Sequence, residues 1–544
     1  MSENSNRNSL LTSTWDVVVV GTGIGGATIG WELAKSGLRV LFLEKGKNFL
    51  LSENGLRGDF AETFFPSPSY AQSKYSDILM DSGRWWEEVY DLSVHKIKKF
   101  IPFIGCGTGG SSILYGGAME RFFSEDFTPI VQKKEDFDEN SSLPDYWPIS
   151  YEEIAPYYEK AEKLYGVKGS KDPLKNDSNF SLSPPPSMLP AAKELFDFFL
   201  QKKLHPYRLP IAVDFREGCE GCQGFICTHL CKNDSLKVCL YPALTEFGAE
   251  LVDQCEVISL EEENQKVKSL VCIKGGHSFK VKAKIFILAA GALISPLILL
   301  NSVNKSWPNG LGNNNGLVGK NLMRHHVDLY AIFVKDKTGL PSNKKDIAFN
   351  DFYNDELKLG TVQSFGLLPP ANILVEELFK EIHLSGKVFK LGKYPLKIFL
   401  ENIFSRSILL ASIKEDLPYE FNRVELLRGN LQQKLIPVIK YKLTKYEKNR
   451  IKIFRKKLKA IFKPYRFLCL KQAENNERIA HVCGTSRFGE DPDTSVLNKY
   501  NQVHAIENLF LVDSSFFPSS GGTNPSLTIA ANALRVADFI KQYF

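Results

Sequence analysis

Long apolar runs are missing from this sequence. No stretch approaches the roughly 20 consecutive apolar residues of a membrane-spanning helix, and the opening MSENSNRNSLLTSTWD lacks the basic-then-apolar order of a secretory signal. The expected location is the cytoplasm. Charge of one sign is also lacking: 68 Lys and Arg against 62 Asp and Glu leave a formal +6 over 544 residues. That excess is too small to argue for nucleic acid as a partner. There is no internal repeat, H-x-x-x-H pair or four-cysteine ferredoxin spacing. Ten cysteines in a large chain without an export signal read as reduced thiols or metal ligands rather than disulfides. At about 100–200 residues per domain, the length calls for two or three domains.

The most ordered segment is WDVVVVGTGIGGATIGWELAKSGLRVLFLEKG, residues 15–46. Val17 to Val20 suit a buried parallel strand. Gly21, Gly23 and Gly26 then spell G-x-G-x-x-G, a helix is expected from about Ala27 to Ser36, and the strand RVLFLE ends at Glu44. In this setting Gly21 permits the tight turn, Gly23 lets a pyrophosphate approach the backbone, and Gly26 lets helix and strand pack closely. The helix N-terminus offers free N–H groups to phosphates, and Glu44 is placed to accept from ribose hydroxyls. The motif does not separate NAD from FAD.

Further buried strands are expected in KIFILAAGALISPLILLNS, running into Gly291, and in FLVDSSFFPSSGGTNPSLTIAANALRVADFI, which ends in a helix. Strands so widely scattered imply one nucleotide domain built from segments 1–150, 221–334 and 466–544. Segments 151–220 and 335–465 are left for a substrate domain, and the cysteine-rich stretch lies in the second nucleotide segment. Two basic stretches stand out, KVFKLGKYPLKIF and TKYEKNRIKIFRKKLKAIFKPY. In the second, Thr444 and Glu447 form a capping-box pattern, Ile451, Phe454, Leu458 and Ile461 share one face, and Pro464 marks the stop. Packing of that face on the core, with a lysine face in solvent, is the simple reading. Contact with an anionic membrane surface or an acidic partner is the sharper one.

The order of these blocks resembles the glucose–methanol–choline (GMC) family of FAD-dependent oxidoreductases. GTGIGGATIGWELAKSGLRVLFLEKG is similar to the family's N-terminal FAD motif, and GCGTGGSSILYGGAMERF (105–122) to its glycine-rich flavin loop. GALISPLILLNS is similar to its second signature, with Val303 where glycine is usual, and AHVCGTSRFGED and VDSSFFPSSGGTNPSLTIAANALRVAD to its catalytic region. The resemblance implies an α/β fold. A Rossmann-like FAD-binding domain assembled from discontinuous segments would join an α+β substrate domain with a largely antiparallel sheet. It implies FAD contacts at Gly21, Gly23, Gly26, Glu44, Gly107, Gly109, Gly110, Ser111, Val257, Asp513, Pro525 and Ser526. Ile113 follows Ser112 where some members carry a flavin-linking histidine, so FAD is expected to be non-covalent. Tyr115-Gly116 replaces the usual Asn-Gly.

Alcohol oxidation needs a base for the hydroxyl proton and an acceptor, flavin N5, for the hydride. The family's H-x-x-G-T segment falls on His481, Gly484 and Thr485, which makes His481 the expected base. The second family position is Asn524, whose amide can hold the substrate oxygen but cannot take a proton at pH 7. Helix N–H groups after Pro525 would face the flavin's pyrimidine end. Gln363 and Phe365 are candidate substrate-lining residues. His325 and His326, being adjacent on a strand, are expected to point apart and to bind no metal. In CEGCQGFICTHLCKNDSLKVC, the cysteines Cys219, Cys222, Cys227, Cys231 and Cys239 read first as structural thiols. An iron–sulfur cluster at Cys222, Cys227 and Cys231, or zinc, are the alternatives. The expected activity is oxidation of an alcohol, sugar or sterol-like CH–OH group, with oxygen, a quinone or a redox protein as acceptor. A flavin-family lyase, an NAD-linked dehydrogenase and a non-catalytic binding protein are the other readings.

Overall fold

The computed structural model describes residues 14–50, 55–66, 72–93, 97–129, 138–176, 179–340, 344–354, 357–367, 369–375, 387–427 and 434–544. Most of the polar opening, through residue 13, lies outside them.

One sheet is the expected Rossmann-like layer. Thr14–Val20 lies parallel between Val40–Leu43 and the C-terminal half of His277–Leu288. Glu250–Val252 and Leu509–Leu511 add parallel edges. Val17, Val18 and Val19 are fully buried, as a doubly covered parallel strand requires. The long strand His277–Leu288 then turns antiparallel, pairing with Lys266–Lys274, which pairs with Glu256–Glu263. Strands from three separate parts of the chain thus share one sheet.

The helix after the glycine turn runs Ile24–Lys35, starting earlier than the apolar periodicity suggests. Gly23 serves as its N-cap and its carbonyl already accepts from Ala27 N–H. The glycines that weaken helix propensity are held in the helix by packing: a Cβ on Gly26 would sit 2.1 Å from the Gly21 carbonyl oxygen.

The second sheet is antiparallel. Its order is Arg466–Leu470, Met323–Phe333, Ile408–Lys414, Gly360–Ser364, Ile347–Phe349 and Tyr207–Arg208, and Ala480–Cys483 pairs with the start of Met323–Phe333. A four-stranded sheet joins Arg423–Leu426 and Pro437–Lys440 to Val89–Asp91 and Lys98–Phe100.

The basic stretch forms the helix Lys445–Phe462, and the Thr444 hydroxyl accepts from Glu447 N–H at 3.2 Å. Ile451, Phe454 and Leu458 are buried and Ile461 is half-buried. Glu447, Arg450 and Arg455 are buried as well, so the polar face is not wholly solvated. Arg450 donates to Glu447 and Glu415, and Arg455 to Asp328 and Glu474. Among the described residues no helix is long and apolar enough to cross a membrane.

Candidate active site

A cavity of about 710 Å³ runs between the two large sheets, within the range of pockets that take cofactors and small substrates. At one end the glycine turn opens the Ile24–Lys35 helix with no side chain capping its N-terminus, so its first N–H groups stay available. A Cβ on Gly23 would meet nothing within 4 Å on its cavity side, whereas one on Gly110 would lie 2.9 Å from Gly23 Cα. The two glycine-rich loops therefore touch each other and form one backbone cradle.

Glu44, just beyond its strand, ties that cradle together. One carboxylate oxygen accepts from Thr22 N–H and Thr22 O–H, the other from the N–H groups of Gly46 and Gly107. Burial pushes its pKa up and these four donors pull it back. Its acceptor sites are already used, so a ribose hydroxyl arriving here must share or displace one of them. Val257, Asp513, Ser111, Pro525 and Ser526 also line the cavity. Gly26, Gly107 and Gly109 are not on its wall and act through packing and turn shape. Asp513 accepts from Gly291 N–H at 2.9 Å, from Ser515 N–H at 2.8 Å and from the Ser295 hydroxyl. It thereby pins the strand-end loop at Gly291 to the late segment.

At the other end lies His481. It follows Ala480 on a short strand whose pairing with the His325 strand shifts register between Met323 and His325, a bulge that re-aims side chains. Its backbone sits at φ +56°, in the left-handed region that non-glycine residues seldom occupy. The His481 and His325 Nδ1 atoms are 2.8 Å apart. His325 Nε2 faces the carbonyl oxygens of Ser520 and Gly521 at 3.2 and 2.9 Å.

Carbonyls only accept, so Nε2 of His325 carries its proton. Neutral His325 then has a lone pair on Nδ1, and the contact requires His481 Nδ1 to donate. His481 Nε2 is left unprotonated. It faces Asn524, whose amide nitrogen donates to it at 3.4 Å. The Asn524 carbonyl oxygen is buried without a partner. Burial, then the nearby His325 and Lys345, hold the His481 pKa well below the usual histidine value, so the ring is neutral at pH 7. His325 is likewise held down, to about 4, chiefly by burial.

The loop carrying Asn524 is fixed by buried polar contacts. Gly522 N–H donates to the Tyr353 hydroxyl at 2.7 Å and Thr523 O–H to Glu120 at 2.9 Å. Asn524 and Pro525 lead directly into the helix Ser526–Ile540, which has no side-chain N-cap.

His326 points away from His481, against the Ala473 carbonyl and Asp416. His326, Asp416 and Glu447 are the one group among the described residues that brings three ligating atoms within 4.8 Å. The Lys414 ammonium already pairs with Glu447 there. Cys219, Cys222, Cys227 and Cys231 are free thiols in one small apolar cluster, Cys222 beside Cys227 and Cys219 beside Cys231, while Cys239 sits apart against the Tyr165 hydroxyl.

Gln363 and Phe365 line the cavity as expected from sequence. His325, Gln223 and Lys345 were not expected at the site. Gln223 and Lys345 line the cavity, and no local sequence motif marks any of the three. The donor set fits FAD: a free helix N-terminus and an open glycine cradle suit a pyrophosphate, and an unpartnered Asn524 carbonyl lies in the same continuous cavity.

Family comparisons agree with this geometry. Residues 209–327 and 418–533 match two family models described as GMC oxidoreductase, and residues 19–50 match an NAD(P)-binding Rossmann-like domain. The chain belongs to the GMC oxidoreductase family. It is thus an FAD-dependent oxidoreductase of CH–OH donors, of the alcohol oxidase or dehydrogenase kind.

GMC relatives match over nearly the full length. A 2-methyl-1,2-propanediol dehydrogenase of Mycolicibacterium austroafricanum is 28% identical over 97% of this chain and 95% of its own. A 6'''-hydroxyparomomycin C oxidase of Streptomyces lividus is 28% identical over 97% and 92%. The crystal structure of pyridoxine 4-oxidase from Mesorbium loti superposes with a TM-score of 0.63 at 18% identity, covering 98% of this chain and 100% of that one, which shows the shared fold.

Proposed function

We propose that this GMC oxidoreductase oxidises an alcohol with His481 Nε2 as the general base and Asn524 as the group that orients the substrate oxygen. The observation that carries the reading is the fixed tautomer of His481. Its Nδ1–H is committed to His325, and its unprotonated Nε2, which accepts from the Asn524 amide at 3.4 Å, lies on the cavity wall.

FAD would be held by the backbone of Gly21, Gly23, Gly110 and Ser111, by Glu44, Val257 and Asp513, and by the helix start at Pro525 and Ser526. When bound, the flavin supplies the acceptor for the hydride that leaves the carbinol carbon. His481 takes the hydroxyl proton on Nε2, and the resulting imidazolium keeps its Nδ1–H bond to His325. Asn524 donates to the same oxygen as negative charge grows on it, which favours proton loss. Leu329, Phe365 and Phe404, all half-buried, give that part of the cavity an apolar wall.

The relatives' printed names support small hydroxylated substrates, since they include a diol dehydrogenase and an aminoglycoside oxidase. Cys219, Cys222, Cys227 and Cys231 we assign a structural role. They pack with Phe60, Val213 and Phe225 in a small apolar cluster, as two thiol pairs.

Anaerobic mixing of the flavin-loaded protein with a panel of alcohols tests the reading. Substrate bleaches the flavin absorbance in the wild type, and His481→Ala slows that step by about 10²–10⁴-fold. A variant that reduces as fast as the wild type would remove His481 from the mechanism.

A further inference from the structure

The substrate end of the cavity holds a cation that no described residue neutralises. Lys345 lines the cavity, and among the described residues no carboxylate pairs with it. Its Nζ lies 2.6 Å, and Gln223 Oε1 2.4 Å, from the point where a Cβ on Gly116 would stand, so the two side chains fill the space over that glycine together. Gln223 Oε1 and Gln363 Oε1 are both buried without a hydrogen-bond partner, as is Asn524 Oδ1. Phe365 lies beneath the ammonium, 5.9 Å from ring centre to Nζ. Lys345 and His481 line the same cavity, and the lysine's charge is one of the influences that hold the His481 pKa down.

Lys345 is half-buried, and desolvation followed by the nearby Lys232 pulls its pKa down to about 8, so it is still an ammonium at pH 7 but a costly one; three unpartnered amide oxygens on the same cavity add to that cost. Such groups persist where a ligand completes them. An anion answers Lys345, and hydroxyl donors answer the amide oxygens of Gln223 and Gln363. Apolar alcohols would leave all of them unmet.

We propose that Lys345, beside Gln223 and with the unpartnered amide oxygens of Gln223 and Gln363 on the same cavity wall, anchors a carboxylate carried by the substrate, so that the natural substrate class is a small polyhydroxylated acid. This rests on the assignment of His481 and FAD to alcohol oxidation. The reacting carbon gives its hydride to the flavin, its oxygen gives its proton to His481, and the product is an oxo acid whose carboxylate still faces Lys345.

Matched pairs test this on the flavin-loaded protein: glycerate with glycerol, gluconate with glucitol, and 4-(hydroxymethyl)benzoate with 4-methylbenzyl alcohol. Binding is read by calorimetry without oxygen and turnover by the rate of flavin reduction. The expected result is that in at least one pair the acid binds and reacts at least about tenfold better than its neutral partner. Lys345→Met abolishes that preference and Lys345→Arg retains it. Equal handling of every pair by the wild type, including no binding by any acid, overturns the proposal. So does a preference that survives in Lys345→Met, or a Lys345→Met protein whose defect is loss of flavin or an equal loss toward neutral alcohols. His481→Ala separates the two readings. It should keep acid binding while losing flavin reduction, whereas retained reduction would count against the base and leave the Lys345 binding result to stand by itself.

Discussion

Replacing His325 by leucine removes the acceptor that fixes His481. Two consequences follow from the geometry. The first is the loss of one buried hydrogen bond of 2.8 Å, worth about 0.5–1.5 kcal/mol, or up to roughly tenfold in rate if it is felt fully in the transition state. The second is freedom of the tautomer. A His481 ring that places its proton on Nε2 has no lone pair toward Asn524, and loss of general-base catalysis costs about 10²–10⁴-fold. The expected fall in the rate of flavin reduction therefore lies between about 10-fold and 10⁴-fold, with little change in KM, because His325 does not line the cavity.

The pH dependence supplies a signature that simple destabilisation would not produce. Protonation of His481 Nε2 removes the proposed base, so the rate should fall as pH drops through the pKa of His481. In the wild type that pKa is well below the usual value of about 6.5, and the rate should be flat across neutral pH. His325 is one of the groups holding it down, so His325→Leu moves the acid limb upward. His325→Asn, which can offer a carbonyl oxygen near the position of Nδ1, should recover at least about tenfold over leucine. Stopped-flow reduction across pH, with flavin content and circular dichroism as controls, makes the comparison. A leucine variant within threefold of the wild type and with the same acid limb would refute the tautomer argument.

Gly110→Ala should lose bound flavin, because the new Cβ would press on Gly23 Cα at 2.9 Å with φ at +52°, a strain of about 1–3 kcal/mol. Flavin absorbance per protein measures it, and full occupancy would argue against the joined glycine cradle. Leu458→Ala, at a fully buried position of the basic helix, should destabilise folding by about 2–5 kcal/mol, read from the urea midpoint. A loss under about 1 kcal/mol would mean that this helix face contributes little to the core.

The parts of the fold legible in sequence are those whose geometry is local. Gly21, Gly23 and Gly26 act within one turn and the helix it opens, and Thr444 caps its helix three residues from Glu447. His481 and Asn524 were legible through the family pattern around each. What the sequence hid depends on contacts between distant residues. His325 meets His481 across 156 positions, and Tyr353 reaches Gly522 across 169. The charged side of the basic helix reads as solvated because Lys and Arg usually are. Yet Arg450 and Glu447 are buried there, with Lys414, Glu415 and Lys358 as their neighbours from other segments. The closely spaced Cys219, Cys222, Cys227 and Cys231, read from sequence first as structural thiols, gather into one small apolar cluster, whereas Cys239 from the same stretch lies apart against Tyr165.

The left-handed backbone of His481 ties these observations into one physical argument. A residue at φ +56° costs about 1–3 kcal/mol that local sequence does not return. The site holds it there by a strand bulge, by a buried imidazole partner, and by backbone carbonyls that leave that partner one tautomer. Relaxing His481 into ordinary strand geometry would turn its ring away from Asn524. The strain and the second histidine are therefore two sides of one device that presents an unprotonated nitrogen to the cavity.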